Sequence, residues 1–182
     1  MAVRAGNPQL RPLHFLRYAF PEAAHRARVR REEGMPSPIL VIGIGNEYRS
    51  DDGVGLVVAR ELRAKNLPDM LIIESSGDGA ALMEAWKAAP SVIVIDAASS
   101  GRAPGTIHRF DALTQSMPTG FSFHSTHAFG VAEAIGLAQA LQQLPPRLIV
   151  YAIEGKHFTA GVGLSPQVAK AVQKVIEQIS LL

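Results

Sequence analysis

Short apolar runs alternate with amphipathic stretches from Ile39 to the end of the chain. The runs that indicate buried strands are apolar on both faces, as strands of a parallel sheet are, and they span 39–43, 70–74, 91–96 and 147–153. Helical periodicity is predicted over 53–65, 78–87, 127–141 and 166–181, with Ser125 or Thr126 capping the third helix and Pro166 opening the last. A turn at Pro104-Gly105 precedes a predicted edge strand over 106–110.

This alternation predicts an α/β fold, a three-layer α/β/α sandwich with an open, mainly parallel twisted sheet of about five strands. We expect a single domain of this kind over residues 37–182. Hydrophobic residues make up 47% of the chain, and no apolar run reaches the roughly 18 residues that a membrane span needs. The chain has no cysteine, which excludes disulfides, thiolate metal sites and a cysteine nucleophile.

The loop between the first strand and the first helix holds the densest group of polar residues. We expect Gly43, Gly45, Asn46 and Gly53 to determine the shape of this loop. Ser50 or Asp51 is well placed to cap the following helix. Asp51 and Asp52 put two adjacent carboxylates where the strand becomes a helix.

A dinucleotide site is one interpretation of a strand, glycines and a helix, but the loop fits it poorly. The fingerprint G-x-G-x-x-G needs a third glycine where Tyr48 stands. Asp51 and Asp52 would also repel a pyrophosphate. Glu74 could imitate the ribose-binding acid, yet it lies well beyond the spacing of about 20 residues for that role.

Positive charge is concentrated in the first 34 residues, which hold seven arginines against three acids. The excess of basic residues therefore belongs to an N-terminal extension over 1–36. It does not indicate that the domain binds nucleic acid. We expect this extension to be disordered or not native, and residues 1–34 to be dispensable; an arginine-rich transit peptide is the alternative. The expected location is the cytoplasm, with neither nucleic acid nor a membrane as a partner.

Polar residues should converge at the carboxyl ends of the strands, where ligands gather in such sheets. Asp51 and Asp52 follow the first strand, Asp96 ends the third, and His124 and His127 precede the third helix. These residue types suit a divalent metal site or an acid/base pair. Each also has a structural interpretation: a helix cap for Asp51, a turn for Asp96 and polar surface for the histidines. Glu154, Gly155 and His157 are expected at the rim.

Several motifs occur together and in one order from residue 38 to residue 182. They are Gly43-Ile-Gly-Asn46, Ser50-Asp-Asp-Gly-Val-Gly55, Ile95-Asp-Ala97, Pro104-Gly105-Thr106, Ser125-Thr-His-Ala-Phe-Gly130 and Gly163-Leu-Ser-Pro166. As a set they resemble the hydrogenase maturation endopeptidases, which remove the C-terminal extension from the large-subunit precursor of nickel-iron hydrogenases. One departure is Glu74-Ser-Ser-Gly-Asp78-Gly79, where the family usually has an Asp-Gly-Gly-Thr-like turn.

The resemblance implies a protease whose nickel arrives with its substrate, the loaded precursor, so that no tightly bound cofactor of its own is expected. By matching position it assigns the metal contacts to Asp52, Asp96 and His127, and leaves out Asp51 and His124. Asp52 and Asp96 would be catalytic as an aspartic-type pair, or nickel would polarise the scissile carbonyl as a Lewis acid. The alternatives in other classes are a non-catalytic nickel-sensing chaperone and a nucleotide-binding oxidoreductase.

Overall fold

The structure is a computed structural model that describes residues 37–87, 89–115, 122–123 and 129–182, together with residues 25, 29, 33 and 34. The predicted extension over 1–36 lies almost wholly outside the described residues. The boundary between that extension and the domain at 37–182 therefore stays a prediction.

The described residues form six strands and four α-helices. The strands are β1 (Ile39–Ile44), β2 (Met70–Ser75), β3 (Ser91–Ser99), β4 (Ile107–Asp111), β5 (Ser122–Phe123) and β6 (Arg147–Glu154). The helices are α1 (Val54–Ala64), α2 (Gly79–Trp86), α3 (Val131–Ala140) and α4 (Pro166–Ser180), and a 3₁₀ turn at Ser50–Gly53 precedes α1. No helix among these described residues is long and apolar enough to cross a membrane.

The sheet has the order β2-β1-β3-β6-β4, with β5 paired to the end of β3. Strands β1, β2, β3 and β6 are parallel, whereas β4 and β5 pair antiparallel with β6 and β3. The chain moves from β1 to β2 on one side and then to β3 on the other, so the strand order reverses between β1 and β3. This is the position at which ligands were expected to gather.

Alternation along the strands divides the core into two layers. Val41, Ile93 and Ile149 pack on one face with apolar residues of α1 and α4. The neighbouring residues on the other face pack with α2 and α3, and Leu40 and Leu148 belong to that layer. Burying each such side chain contributes about 1.5–3 kcal/mol relative to leaving it in water. The predicted three-layer α/β/α sandwich is confirmed, with β4 at an edge as expected and β5 as a short strand that was not predicted.

Two element boundaries differ from the sequence prediction by more than one residue. Strand β3 continues to Ser99 and does not end at Asp96, because Ala97 and Ala98 stay paired with β6. Helix α3 begins at Val131 and its cap is Gly130, so the predicted cap at Ser125 or Thr126 is wrong. The Glu133 carboxylate accepts a hydrogen bond from Gly130 N at 3.0 Å and thereby satisfies one backbone donor at the helix start.

Candidate functional site

Two glycines bring the start of α1 into direct contact with the sheet. A Cβ added to Gly43 would lie 2.3 Å from Gly55 O, and a Cβ added to Gly55 would lie 2.3 Å from Ile95 O. Any side chain at either position would therefore force α1 away from β1 and β3. This close approach places the 3₁₀ turn, with Asp51 and Asp52, over the carboxyl ends of those two strands.

The loop between β1 and the 3₁₀ turn folds back on the turn itself. Gly45 has a φ of 145°, and a Cβ there would lie 1.9 Å from Asp52 O. Asn46 N donates to Asp52 O at 3.4 Å, and the Asn46 Oδ1 accepts from Tyr48 N at 3.0 Å. A Cβ on Gly53 would lie 3.1 Å from Glu47 Cα. Gly45, Asn46 and Gly53 thus lie in close contacts around the backbone of Asp52, whereas Gly43 contacts the start of α1.

Asp52 and Asp96 come together from separate segments and are both buried, with exposed fractions of 2% and 1%. Burial and the neighbouring charge of Asp52 raise the pKa of Asp96 well above its ordinary value, although Ala97 N donates to Asp96 Oδ1 at 2.8 Å and acts the other way. The other oxygen of Asp96, Oδ2, has no hydrogen-bond partner among the described residues. The structure thus brings the two predicted carboxylates near each other, and their catalytic role stays a prediction.

Arg49 adds a positive charge to this pair of carboxylates. Its Nε lies 3.9 Å from Asp52 Oδ2, and its Nη2 donates to Phe158 O at 3.1 Å. The guanidinium thus joins the carboxylate pair to the loop after β6. Sequence reasoning missed Arg49; the available signal was a single arginine three residues before an aspartate in a loop rich in acids.

Asp51 has a different role from the one expected of it. The helix that follows has no side-chain cap, so the prediction that Asp51 or Ser50 caps it is wrong. The Asp51 carboxylate instead crosses to the loop after β6. There it accepts hydrogen bonds from Lys156 N at 2.8 Å, His157 N at 3.0 Å and Ser165 N at 2.6 Å.

These three hydrogen bonds favour the ionised form of Asp51. Burial by itself would raise the pKa of Asp51, but the backbone donors of Ser165, Lys156 and His157 together outweigh it and hold that pKa below its ordinary value of 3.8. A carboxylate that accepts several backbone N–H bonds is stabilised in its ionised form. The ionised Asp51 carboxylate therefore links the 3₁₀ turn to the loop before α4.

Ser50 strengthens the same junction through its backbone. Ser50 N donates to Gly161 O at 2.9 Å, and Gly161 N donates to Tyr48 O at 2.9 Å. The Ser50 hydroxyl donates to Thr159 O at 3.2 Å. The chain on either side of Arg49 is thus paired with the chain around Gly161, which explains why Ser50 is not available as a cap.

Glu154 was expected at the rim and is instead buried, with an exposed fraction of 2%. Its carboxylate accepts hydrogen bonds from Ser100 N at 2.7 Å, Ser100 Oγ at 2.8 Å and Arg102 N at 3.1 Å. The expectation was wrong because Glu154 holds the loop after β3 in place. His157 does lie at the surface, as expected of a rim residue.

The two candidate histidines, His124 and His127, lie outside the described residues. Over the part of the chain that the structure describes, no group of three or more His, Asp or Glu side chains could hold a metal ion. Of the three predicted metal contacts, Asp52 and Asp96 lie among the described residues, and both are buried. The assignment of Asp52, Asp96 and His127 as metal contacts therefore stays a prediction.

Glu74, the residue considered as a ribose-binding acid, is engaged in a surface ion-pair network. Its carboxylate accepts hydrogen bonds from Arg60 Nε at 2.9 Å and from Arg63 Nη1 at 2.6 Å. Arg60 also binds Glu47 at 2.9 Å. Because two arginines already pair with the Glu74 carboxylate, Glu74 is a poor candidate for the acid that binds the ribose of a dinucleotide.

Comparison with known protein families shows to which family this chain belongs. The family model described as hydrogenase maturation protease matches residues 56–181. A protein of Methanocaldococcus jannaschii that carries the name of a hydrogenase maturation protease is 34% identical over 150 residues, which cover 78% of this chain and 93% of the relative. The chain belongs to the hydrogenase maturation protease family. It is accordingly a peptidase.

Other members of the hydrogenase maturation protease family are more distant in sequence but similar in fold. The hydrogenase 2 maturation protease of Escherichia coli is 26% identical, with 78% of this chain and 87% of the relative covered. The solved structure of the NiFe hydrogenase maturation protease HybD from Thermococcus kodakarensis is 23% identical, covers 79% of this chain and 97% of its own, and has a TM-score of 0.57. The three-layer sandwich is thus the fold of this protease family.

Proposed function

We propose that this protein is an endopeptidase that removes the C-terminal extension from the nickel-loaded precursor of a hydrogenase large subunit. The observation that carries the proposal is the pair of buried carboxylates, Asp52 and Asp96, in a chain of the hydrogenase maturation protease family. They meet at the carboxyl ends of β1 and β3, where the strand order reverses. The proposed place of action is the cytoplasm, and neither nucleic acid nor a membrane takes part.

In this proposal the nickel ion is part of the substrate. Asp52, Asp96 and His127 contact the ion that the precursor already holds, so that cleavage follows loading. Three protein ligands leave coordination positions for the precursor's own groups. The protease needs no resident cofactor, because recognition of the loaded precursor uses the precursor's metal.

The proposed chemistry is hydrolysis assisted by the carboxylate pair. A water molecule attacks the scissile carbonyl carbon and forms a new C–O bond while one carboxylate takes a proton from the water. The C–N bond then breaks, and the leaving nitrogen receives a proton from the pair. An aspartic-type mechanism of this kind uses Asp52 and Asp96 together; the alternative is that substrate nickel polarises the carbonyl as a Lewis acid.

Mass spectrometry of the precursor tests this function directly. Incubation of the nickel-loaded precursor with the protein should release the C-terminal peptide, and the nickel-free precursor should stay intact. Asp52→Asn, Asp96→Asn and His127→Ala should each abolish release, with His124→Ala as the matched control that retains it. Binding of the precursor without any released peptide would overturn the proposed peptidase reaction and favour a chaperone.

A chelator separates substrate nickel from a resident metal. Protein dialysed against EDTA and then freed of the chelator should cleave the nickel-loaded precursor at an unchanged rate. Restoration of activity only after nickel or zinc is added to the protease itself would contradict the proposal that it has no metal of its own.

A further inference from the structure

Two large apolar side chains are exposed beside the candidate active site. The exposed fraction is 68% for Tyr48 and 84% for Val162. Single exposed apolar residues are ordinary on protein surfaces and need no explanation. Tyr48 and Val162 are unlike such isolated residues, because they lie beside the candidate active site and hydrogen bonds hold the backbone next to each of them.

The two segments that carry them are fixed to each other; we call residues 46–50 and 156–165 the paired loops. Gly161 lies between Tyr48 O and Ser50 N and hydrogen-bonds to both, each at 2.9 Å. The fit is close, since a Cβ on Gly161 would lie 2.7 Å from Ser50 Oγ. Tyr48 and Val162, next to these bonds, are therefore displayed from a backbone that loses little freedom when a ligand binds.

Asp51 fixes both ends of the second of the paired loops. Its carboxylate binds the backbone N–H groups of Lys156 and His157 at one end and of Ser165 at the other. The exposed Val162 lies between these anchors. A buried, ionised carboxylate is thus used to hold a loop whose tip presents an apolar side chain to solvent.

The paired loops adjoin the carboxylate pair. Tyr48 is followed by Arg49, which faces Asp52 Oδ2 at 3.9 Å and Phe158 O at 3.1 Å. Arg49 thus joins the paired loops to Asp52, so residues that flank a scissile bond at Asp52 and Asp96 would lie near these loops. Tyrosine is also among the side chains that most often carry the binding energy of protein interfaces.

We propose that Tyr48 and Val162 form a docking surface for the substrate polypeptide and receive apolar side chains that flank its scissile bond. The proposal rests on the proposed function and adds to it the residues that select the substrate. The occupant is the precursor polypeptide itself. Binding at this surface stabilises the bound precursor and the transition state equally, so it lowers KM.

Steady-state kinetics with the nickel-loaded precursor test the docking surface. Tyr48→Ser combined with Val162→Ser should raise KM about tenfold and leave kcat unchanged, because neither side chain contacts the reacting atoms. Tyr48→Phe should keep the wild-type KM, since the ring is retained. Leu141→Ser and Leu181→Ser are the matched controls, with exposed fractions of 52% and 87% at the ends of α3 and α4.

Other outcomes would overturn the proposal in distinguishable ways. An unchanged KM in a double variant that melts like the wild type would overturn the docking surface and leave the peptidase function intact. Failure of the wild-type protein to cleave the precursor would overturn the proposed function and the docking surface with it. A change in the sedimentation of the free protein without a change in KM would assign Tyr48 and Val162 to a contact between two copies of the chain. If the double variant fails to fold, Tyr48→Ser alone decides by the same comparison of KM.

Discussion

Asp51 and Ser165 are 114 residues apart in the sequence, and the Asp51 carboxylate accepts a hydrogen bond from the backbone N–H of Ser165 at 2.6 Å. This contact ties the turn that carries Asp52 to the loop that leads into α4. The same carboxylate binds two further backbone donors, at Lys156 and His157. Adjacent aspartates therefore have separate tasks, because Asp51 holds the loops together and Asp52 faces Asp96.

Replacement of Asp51 by asparagine should destabilise the protein and reduce its activity. The asparagine amide offers one acceptor oxygen, and its NH₂ group would face a backbone N–H donor. A buried donor left without its acceptor costs about 1–3 kcal/mol, and denaturant unfolding measures that loss. Glu177→Gln removes an exposed carboxylate from α4 and should change the unfolding free energy little. Equal stability of Asp51→Asn and wild type would show that the hydrogen bonds of the Asp51 carboxylate do not stabilise the fold.

The ionisation of Asp51 should make the protein less stable in acid. The pKa of Asp51 in the folded state lies below its ordinary value of 3.8. Between those two values the unfolded chain binds more protons than the folded chain, so the unfolding free energy falls as the pH falls through this window. The stabilisation is complete above the ordinary value. Urea unfolding between about pH 5 and pH 2 should show a smaller pH slope for Asp51→Asn than for Glu177→Gln.

Asp96→Asn should abolish precursor cleavage and yet stabilise the fold at neutral pH. Burial and the charge of Asp52 raise the pKa of Asp96 well above its ordinary value of 3.8. Above that ordinary value the folded chain binds more protons than the unfolded chain, and stability is lost as the pH rises toward the folded pKa, by about 1.4 kcal/mol for each pKa unit. Asparagine removes this penalty.

Thermal unfolding over a pH series measures the effect at Asp96. The gain in stability of Asp96→Asn over wild type should grow with pH above 3.8 and level off once the folded-state pKa is passed. A gain that does not vary with pH would show that the carboxylate of Asp96 titrates normally in the folded protein. Ala97 N, which donates to Asp96 Oδ1, can donate equally to the carbonyl oxygen of asparagine.

The order and type of the elements could be predicted because the apolar pattern has a different period in each. Val41 and Ile42 are both fully buried, on opposite faces of β1, and this is why an unbroken apolar run indicated a central strand. The need for glycine at Gly43 and Gly45 was also readable, since a Cβ at either position would clash with backbone oxygen. The adjacency of β1 and β3 then followed from the general behaviour of such sheets.

Long-range hydrogen bonds were not predictable from the same pattern. Asp51 stands at a helix start, where capping is the usual role, and its actual partners near Lys156 and Ser165 have no local signal in the sequence. Glu154 was misjudged for the same reason, because its donors at Ser100 and Arg102 belong to a loop more than 50 residues away. Burial of a charged residue depends on which backbone groups the fold brings to it, and a single sequence does not reveal that.

The backbone of Asp52 depends on the absence of a side chain at Gly45, and Gly45→Ala tests this dependence. Gly45 has a φ of 145°, and an alanine Cβ would lie 1.9 Å from Asp52 O. Gly101 is the matched control, because it also has a positive φ, of 79°, but a Cβ there would meet no atom within 4 Å beyond its neighbours in the chain. Gly101→Ala should cost only the roughly 1–2 kcal/mol of an unfavourable backbone conformation. Gly45→Ala should cost about 1–3 kcal/mol more for the steric overlap and should lose precursor cleavage, because Asp52 must move. Equal unfolding free energies for the two variants, with cleavage retained in both, would show that the turn at Asp52 yields without displacing the carboxylate.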